Sequence, residues 1–565
     1  MRIETMRLER TAAAAAAAAL AISGIAVMSA VSAQAAPGPT SQPADPNPPR
    51  PDRIKVRWDW TMPATMRDLT TTAAPDYTPE PGADGIPDDP MNPVPGYPEA
   101  GNARYGPLPD DDRFLVVLDA SRSSGAGPLR CTWRFDTEPR VVRRGTACRK
   151  PVRVRLPEGT HSMTLTVRDR NGSKTRADAI TVKNVLMAIT GDSYASGEGF
   201  PPFRSVVDGQ VQIDWDEPAC QRSRWSGFVR SALAVEESDP RSNVTLIDVA
   251  CAGAQVEYAV QVGTSASGGM LWPQQKLAPN GIPGDYMPAQ IDQLRKIAAG
   301  RPYDVTLLSI GGNDAGLAPI VKTCYVDDVI LGKGNCYMEP PVGSSGKPFY
   351  QVVDESLDVL DDRYARLAPC FGAEGGAADC ETVKLVSGQP ANAPTPSKPM
   401  KLDQVSDLVQ AMYPDLTQVS NGVGGLEPCN TGPPLESPLN QIDNTWAYGT
   451  LYTGTPGKKV YLPTNLPQYE TPDPNPVVAG AYGLVPLLHQ NRAKHGWSVG
   501  FSMYRASHPY GICAPGSWVY GFTNGQQQGV SNPSGLLHPN DTGQQEYADM
   551  LIPMSIRRAG LPVSR

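Results

Sequence analysis

From Asn184 to the carboxyl terminus, short apolar runs alternate with longer amphipathic stretches. The apolar runs are rich in β-branched residues and indicate strands: "VLMAIT", "VTLIDV", "DVTLLSI", "KKVYLP" and "WSVGFSMY". Apolar positions at helical spacing lie between them, in "AQIDQLRKIAA", "FYQVVDESLDVLDDRYARLA" and "AYGLVPLLHQNRAKHG". Continuous apolar strands interleaved with helices predict a parallel sheet covered on both faces. With right-handed crossovers, residues 184–565 are expected to form an open three-layer α/β/α sandwich.

Gly- and Pro-rich pieces interrupt this periodicity between Gly372 and Asn444. We interpret them as part of an insertion around residues 337–455, since long irregular stretches in a compact domain usually serve as lids or binding loops. The pocket that selects a substrate is expected to lie mostly in this insertion.

Residues 111–183 follow a different pattern. "RFLVVLDAS" and "HSMTLTVRD" alternate apolar and polar positions with period two, and "DRNGS" between strand-like runs is a turn signal. Several short strands at this spacing predict a small β-sandwich.

The first 110 residues carry little folding information. Three arginines precede an Ala-rich apolar run that ends in an A-x-A pattern, which is typical of a secretory signal peptide over residues 1–35, cleaved after Ala35. An uncleaved membrane anchor is the alternative, because the run approaches the length of a membrane span. Residues 36–110 are Pro-rich and indicate an extended spacer, interrupted by the β-like piece "RIKVRWDW".

Net charge and cysteine content indicate which partners and cofactors the protein is expected to have. The net charge is −8 and the pI is about 5.4, without a basic stripe, so a nucleic-acid partner is not expected. Ten cysteines in an exported chain indicate disulfides, and nearness along the chain suggests five pairs: Cys131–Cys148, Cys220–Cys251, Cys324–Cys336, Cys370–Cys380 and Cys429–Cys513. There is no C-x-x-C pair and no Cys/His cluster at zinc spacing, so no metal is expected.

Four candidate residues follow the ends of predicted elements. "VLMAIT" runs into "GDS" with Ser193, "VTLIDV" into "ACAGA" with Gly253, and "VTLLSI" into "GGND" with Asn313. His538 lies in "GLLHPNDTG", just before a predicted terminal helix. Because ligands bind beyond the carboxyl ends of parallel strands, these residues are expected at one site.

These residue types are sufficient for acyl transfer. A serine hydroxyl becomes a nucleophile when a histidine removes its proton, and backbone or amide N–H groups stabilise the oxyanion. Each block alone is more simply explained as a turn or loop, but Ser193, Gly253 and Asn313 follow three successive strands at intervals of 60 residues. His508, which also precedes a proline, is the competitor of His538 for the role of base.

The blocks "GDSYASGEG", "ACAGA", "SIGGNDAG" and "HPNDTG" resemble those of the SGNH (GDSL-type) hydrolases, in the secreted bacterial branch of lipases and esterases. This resemblance implies a flavodoxin-like fold, Ser193 as nucleophile and His538 as general base. It also implies an oxyanion hole formed by Ser193, Gly253 and Asn313. Disulfides near the first three blocks are common in this branch, which supports Cys220–Cys251 and Cys324–Cys336.

A second resemblance concerns residues 111–183. "VVLDASRSSGAGPLRCTWRFD", "PEGTHSMTLTVRDRNGS" and "AITV" are similar to a PKD-type module of the immunoglobulin-like class, although the usual W-x-F-G-D-G turn is absent. Such modules act as spacers or adhesion units, which implies contact with a cell wall or polysaccharide.

One position departs from the SGNH pattern. The family often has an acid three residues before the histidine, where this chain has Gly535. Some members use a backbone carbonyl instead, so the Gly535 carbonyl is the expected partner that orients His538. A carbonyl accepts from the imidazole but adds no negative charge, which predicts a Ser/His dyad unless an acid comes from elsewhere.

The sequence therefore predicts a secreted serine esterase without a cofactor, acting on lipid esters or on acyl groups of glycans. Lipase and carbohydrate esterase stay open as alternatives. A hypothesis of another class is a cell-surface binding or adhesion protein with an inactive hydrolase domain, motivated by the β-module and the proline spacer.

Overall fold

A computed structural model describes most of the chain after residue 52. The described residues are 53–63, 66–68, 70, 113–136, 142–200, 203–207, 210–257, 268–275, 286–317, 324, 335–341, 346–373, 379–429, 441–453, 455–456, 481–500, 502–521 and 535–562. The expected signal peptide and most of the Pro-rich spacer lie outside them, as does "KKVYLP".

The described amino-terminal part of the chain, up to residue 182, is built from strands and is named the β-rich part. The first eight strands of the chain are β1 (Asp59–Thr61), β2 (Arg67–Asp68), β3 (Arg113–Asp119), β4 (Arg130–Phe135), β5 (Val142–Ala147), β6 (Val152–Pro157), β7 (Gly159–Asp169) and β8 (Gly172–Gly191). β1, β3 and β6 form one antiparallel sheet, and β5, β4, β7 and the first half of β8 form another. Alternate residues of both sheets are buried in one apolar core around Trp133. The period-two pattern therefore corresponds to strands with one buried face.

The remaining elements alternate strands with helices. The strands are β9 (Phe203–Val207), β10 (Gln210–Asp214), β11 (Ser242–Asp248), β12 (Gln274–Gln275), β13 (Tyr286–Met287), β14 (Val305–Ser309), β15 (Phe371–Ala373), β16 (Glu381–Thr382), β17 (Leu385–Val386), β18 (Gln389–Pro390), β19 (Thr395–Pro396), β20 (Met400–Leu402), β21 (Leu408–Ala411), β22 (Gln418–Ser420), β23 (Leu426–Pro428), β24 (Thr455–Pro456), β25 (Ala481–Tyr482) and β26 (Ser498–Gly500). The α-helices are α1 (Ser193–Ser196), α2 (Gly227–Ser238), α3 (Gln290–Ala298), α4 (Phe349–Leu367), α5 (Gln441–Ala447), α6 (Leu484–His495), α7 (Ser502–Ser507) and α8 (Asp541–Arg558).

A parallel sheet forms the centre of this second part. Its strand order is β11, β8, β14, β21 and β26, and β2 adds in parallel outside β11. The register places Gly191 of β8 beside Ser309 of β14 and Ile189 beside Asp248 of β11. The carboxyl ends of these three strands therefore lie side by side.

Strand β8 belongs to both parts of the molecule. Its 20 residues pair antiparallel with β7 over residues 172–182 and parallel with β11 from residue 183 onward. The resulting sheet is mixed and continuous. The segment before β3 is shared in the same way, because β1 pairs with β3 while β2 pairs with β11.

Two expectations about element boundaries are corrected. The expected insertion at 337–455 contains, besides the predicted helix α4, the strand β21, which was not expected and lies between β14 and β26 in the parallel sheet. The four-residue strand is short and is flanked by turn-like sequence, so its apolar pattern was too brief to detect. In "WSVGFSMY" only Ser498–Gly500 are a strand, and α7 begins at Ser502.

Helices α2 and α8 approach each other closely. A Cβ at Gly227 would collide with the backbone of Gln544, and the Gly227 N–H donates to the Gln544 side chain at 2.8 Å. Buried Arg230 of α2 also pairs with Asp541 at 2.7 Å, at the start of α8. These contacts fix the position of the loop that precedes α8.

The ten cysteines form five disulfides, with the pairing predicted from the sequence. Among the helices of the described residues, none combines the length and apolarity needed to cross a bilayer.

Candidate active site

Ser193 follows directly on the central strand β8. Gly191 has a φ of 122°, and a Cβ there would collide with the backbone of Ser309, so only glycine allows the chain to turn this close to β14. Asp192 then caps α1, accepting from the Tyr194 N–H at 3.1 Å. The short helix holds the Ser193 side chain at the end of the sheet, almost wholly buried.

His538 is placed by a turn before α8. Leu537 has a φ of 66°, and its N–H donates to the Tyr520 carbonyl at 3.0 Å, while the Tyr520 N–H donates to the His538 carbonyl at 3.0 Å. The Tyr194 hydroxyl donates to the Leu537 carbonyl at 2.8 Å, tying this turn to the residue after Ser193. As a result His538 Nε2 lies 2.7 Å from Ser193 Oγ. The two residues are 345 positions apart in the chain.

The other nitrogen of His538 contacts a backbone carbonyl, but not the expected one. Nδ1 lies 3.1 Å from the carbonyl oxygen of Leu536. The Gly535 carbonyl instead accepts from the backbone N–H of His538 at 3.2 Å, which closes the turn. The carbonyl that contacts Nδ1 is therefore one residue nearer to His538 than expected, because the positive φ of Leu537 sets the direction of the peptide groups around it. An Nδ1–H directed at Leu536 leaves Nε2 as the proton acceptor facing Ser193.

The second and third blocks are linked at the same edge of the sheet. Asn313 Nδ2 donates to the Ala254 carbonyl at 3.0 Å, and Gln255 Nε2 donates to the Asn313 carbonyl at 3.2 Å. The Cys251 N–H donates to the Gly191 carbonyl at 3.0 Å. Gly253 has a φ of 77° in an exposed turn between these anchors. The structure thus brings the "ACAGA" and "GGND" blocks next to each other and next to the end of β8.

A buried network of hydrogen bonds joins Asp192 to the residues around these blocks. Asp192 accepts from Ser309 Oγ at 3.1 Å and from the Tyr413 hydroxyl, which in turn accepts from the Gly312 N–H at 2.8 Å. Burial raises the pKa of Asp192 to about 7, against the lowering effect of the hydrogen bonds from Tyr413, Tyr194 and Ser309. Asp192 was predicted only as part of "GDS", and Tyr413 was not predicted at all. Nothing in the sequence near Tyr413 indicates its contact with Asp192.

Asp314, which follows Asn313, is also held from two sides. It accepts from Arg363 Nη1 at 2.7 Å and from the Val256 N–H at 3.0 Å. Burial raises its pKa, opposed by the charge of Arg363. The pair links the third block to α4 and to the loop after Gly253.

A carboxylate that the sequence did not predict lies beside His538. Glu198 Oε2 is 3.5 Å from His538 Nε2, and the Glu198 side chain is 7% exposed. Its backbone N–H donates to the Ser193 carbonyl at 3.1 Å, which closes the turn after α1. The only sequence signal was its position five residues after Ser193 in "GDSYASGEG".

The competing histidine lies in a different environment. His508 Nδ1 is 3.7 Å from Asp415 Oδ2, and both side chains are buried. Burial lowers the pKa of His508 and raises that of Asp415, so both shifts favour the neutral forms. The structure pairs Ser193 with His538 rather than with His508.

Within the part of the chain that the structure describes, no group of three or more His, Cys, Asp or Glu side chains is arranged to hold a metal ion.

Comparisons with known proteins add little to this geometry. No protein-family model and no curated protein matches the chain. Among solved structures, one match is described as a novel carbohydrate acetylesterase from Xanthomonas citri, with 14% identity and a TM-score of 0.14. The match covers 45% of this chain and 63% of the acetylesterase chain. This protein therefore spans less than two thirds of the length of the acetylesterase. A similarity this weak carries no argument about function.

Proposed function

We propose that this protein is a serine ester hydrolase of the SGNH type, with Ser193 as nucleophile and His538 as general base. The observation that carries the proposal is the 2.7 Å contact between Ser193 Oγ and His538 Nε2 at the carboxyl end of a parallel sheet. Hydrogen-bond contact between a serine and an oriented histidine is the arrangement that nucleophilic acyl transfer requires.

The reaction follows from these positions. Ser193 Oγ attacks the ester carbonyl while its proton moves to His538 Nε2, and the carbonyl electrons move onto oxygen. The Gly253 and Ser193 backbone N–H groups and the second N–H of Asn313 Nδ2 are the donors that we assign to this oxyanion. His538 then protonates the leaving alcohol, and a water activated by His538 hydrolyses the acyl-enzyme.

The wider features of the sequence belong to the same proposal. We interpret the helices and the parallel sheet as a three-layer sandwich, and the two antiparallel sheets as an immunoglobulin-like module of PKD type. The five disulfides support an exported protein, because such bonds persist outside the reducing cytosol. The proposed substrates are carboxylic esters of lipids or glycans, and the β-module is the proposed contact with a cell wall or polysaccharide.

The test is a fluorophosphonate probe together with a short-chain p-nitrophenyl ester. Wild type should be labelled at Ser193 and should hydrolyse the ester, whereas Ser193→Ala should lose both properties. Ser196→Ala is the matched control, because it removes a second buried hydroxyl from the same short helix. Full activity of Ser193→Ala would contradict the proposal, and an unlabelled wild type would favour the adhesion hypothesis.

The choice of base is tested in parallel. We expect His538→Gln to lower kcat by about 10²- to 10⁴-fold, the usual contribution of a general base. His508→Gln should keep most of the activity of each folded molecule, because its side chain contacts Asp415 and not Ser193.

A further inference from the structure

Nδ1 of His538 contacts the neutral Leu536 carbonyl, at the position where the base of such a site usually contacts an acid. A neutral acceptor orients the imidazole but does not balance the positive charge that forms when Nε2 takes the serine proton. A carboxylate at another position of the ring can supply the negative charge that stabilises the imidazolium.

We infer that Glu198 supplies this charge from the opposite side of the ring, at Nε2 instead of Nδ1. Its carboxylate lies 3.5 Å from Nε2, close enough for strong attraction to an imidazolium in a site of low dielectric constant. This inference rests on the proposed function, since it assigns a positioning and charge-stabilising role for the same reaction.

The position of Glu198 is fixed by its backbone. Gly197 ends α1 with a φ of 82°, and the Glu198 N–H donates to the Ser193 carbonyl at 3.1 Å. Gly199 follows with a φ of 93°, and a Cβ there would lie 2.8 Å from the His538 Cβ. The two left-handed glycines therefore hold the carboxylate between the nucleophile's helix and the histidine.

Contacts of the His538 ring with described residues include the Ser193 hydroxyl and the Glu198 carboxylate at Nε2, and the Leu536 carbonyl at Nδ1. The Tyr194 ring also faces it, at a centroid distance of 5.4 Å. Among these contacts of the described residues, Glu198 is the group that carries a full negative charge when ionised.

Burial strengthens the argument. A carboxylate with 7% of its side chain exposed is costly to keep charged unless nearby groups compensate it. An imidazolium 3.5 Å away compensates it at the step where His538 holds the proton. The carboxylate takes no proton itself: the serine proton moves to Nε2 and then to the leaving oxygen.

The inference predicts a change in both rate and pH dependence. Glu198→Gln keeps the size of the side chain and removes its charge, so kcat/KM should fall about 10- to 100-fold, less than for loss of the base itself. The imidazolium should also lose stability, so the acid limb of the pH profile of kcat/KM should move to lower pH by about one unit. Loss of packing alone would lower the rate without moving this limb.

Two further variants make the test decisive. Glu198→Asp keeps the charge at a slightly greater distance and should recover part of the rate and of the limb position. If Glu198→Gln does not fold, the rate and the acid limb are measured with Glu198→Asp instead. Asp136→Asn, which removes the charge of an exposed residue after β4, should leave the rate and the pH profile unchanged.

The outcomes separate the two proposals. If wild type is not labelled by the fluorophosphonate at Ser193, the proposed function fails first. If wild type is labelled but Glu198→Gln has a wild-type rate, or a lower rate with an unmoved acid limb, the role of Glu198 is overturned. A moved limb together with slower labelling of Ser193 supports it.

Discussion

Gly199 contacts the proposed base although it takes no part in the chemistry. Its φ of 93° and the 2.8 Å separation of a built Cβ from the His538 Cβ leave no space for a side chain. We expect Gly199→Ala to displace His538 and to lower kcat at least 10-fold, since a small displacement of a catalytic group strongly lowers the rate. Gly388→Ala is the control, because its φ of 81° imposes similar backbone strain of about 1–2 kcal/mol with no atom within 4 Å. Equal activity losses in both variants, measured per folded molecule, would contradict this explanation.

Asp192 makes the stability of the site depend on pH. Its pKa is about 7 in the folded protein and near its ordinary value of 3.8 when unfolded, so the folded state holds the proton more tightly. Protonation of Asp192 therefore favours folding below pH 4, and this contribution is lost as the pH rises through 7. Asp192→Asn does not titrate, so the excess of wild-type over variant unfolding free energy should shrink by about 4 kcal/mol between pH 4 and pH 8. Urea unfolding at several pH values measures it, and an excess that is constant or grows with pH would refute it.

At the scale of elements, the Cys220–Cys251 disulfide anchors the loop that carries Gly253. The bond closes 31 residues, and Ala252 N–H donates to the Cys220 carbonyl at 3.0 Å beside it. Replacing both cysteines by serine should cost about 4 kcal/mol of unfolding free energy and also lower kcat, because the proposed oxyanion donor Gly253 loses its support. The matched control is Cys131–Cys148, which closes 17 residues in the β-rich part. Its removal should cost about 3 kcal/mol and leave kcat of the folded enzyme unchanged; a comparable fall in kcat there would argue against the local role.

The strands of the parallel sheet differ in how well the sequence predicts them. The second half of β8, β11 and β14 were predictable because each contains a continuous apolar run, and the polar blocks after them mark the edge of the sheet. β21 was not, because its four residues "LVQA" are too few to show a period. The contacts of His538 could not be predicted from the sequence for another reason. The Leu536 carbonyl depends on the dihedral angles of one turn, and Glu198 meets His538 across 340 residues of chain.

Across the whole molecule, the β-rich part and the parallel sheet share structure rather than a linker. β8 runs through both, and Met62 of the amino-terminal segment donates to the Pro240 carbonyl at 2.7 Å. At the junction the Asn184 N–H donates to Glu158 at 3.1 Å, and Lys183 donates to the Ala559 carbonyl after α8. A PKD-type spacer would be expected to move independently, whereas these contacts favour one cooperative unit.

This cooperativity can be tested with two core substitutions. Trp133→Ala removes a fully buried ring from the β-rich core, and Leu307→Ala removes a fully buried side chain from the parallel sheet. Each should destabilise its own part by about 3–5 and 2–5 kcal/mol respectively. Because unfolding either part would strip one half of β8 of its partners, both variants should lower the same calorimetric transition, and loss of ester hydrolysis should coincide with it. Two separate transitions, each shifted by only one of the variants and with activity following the Leu307 transition alone, would show that the β-rich part folds independently.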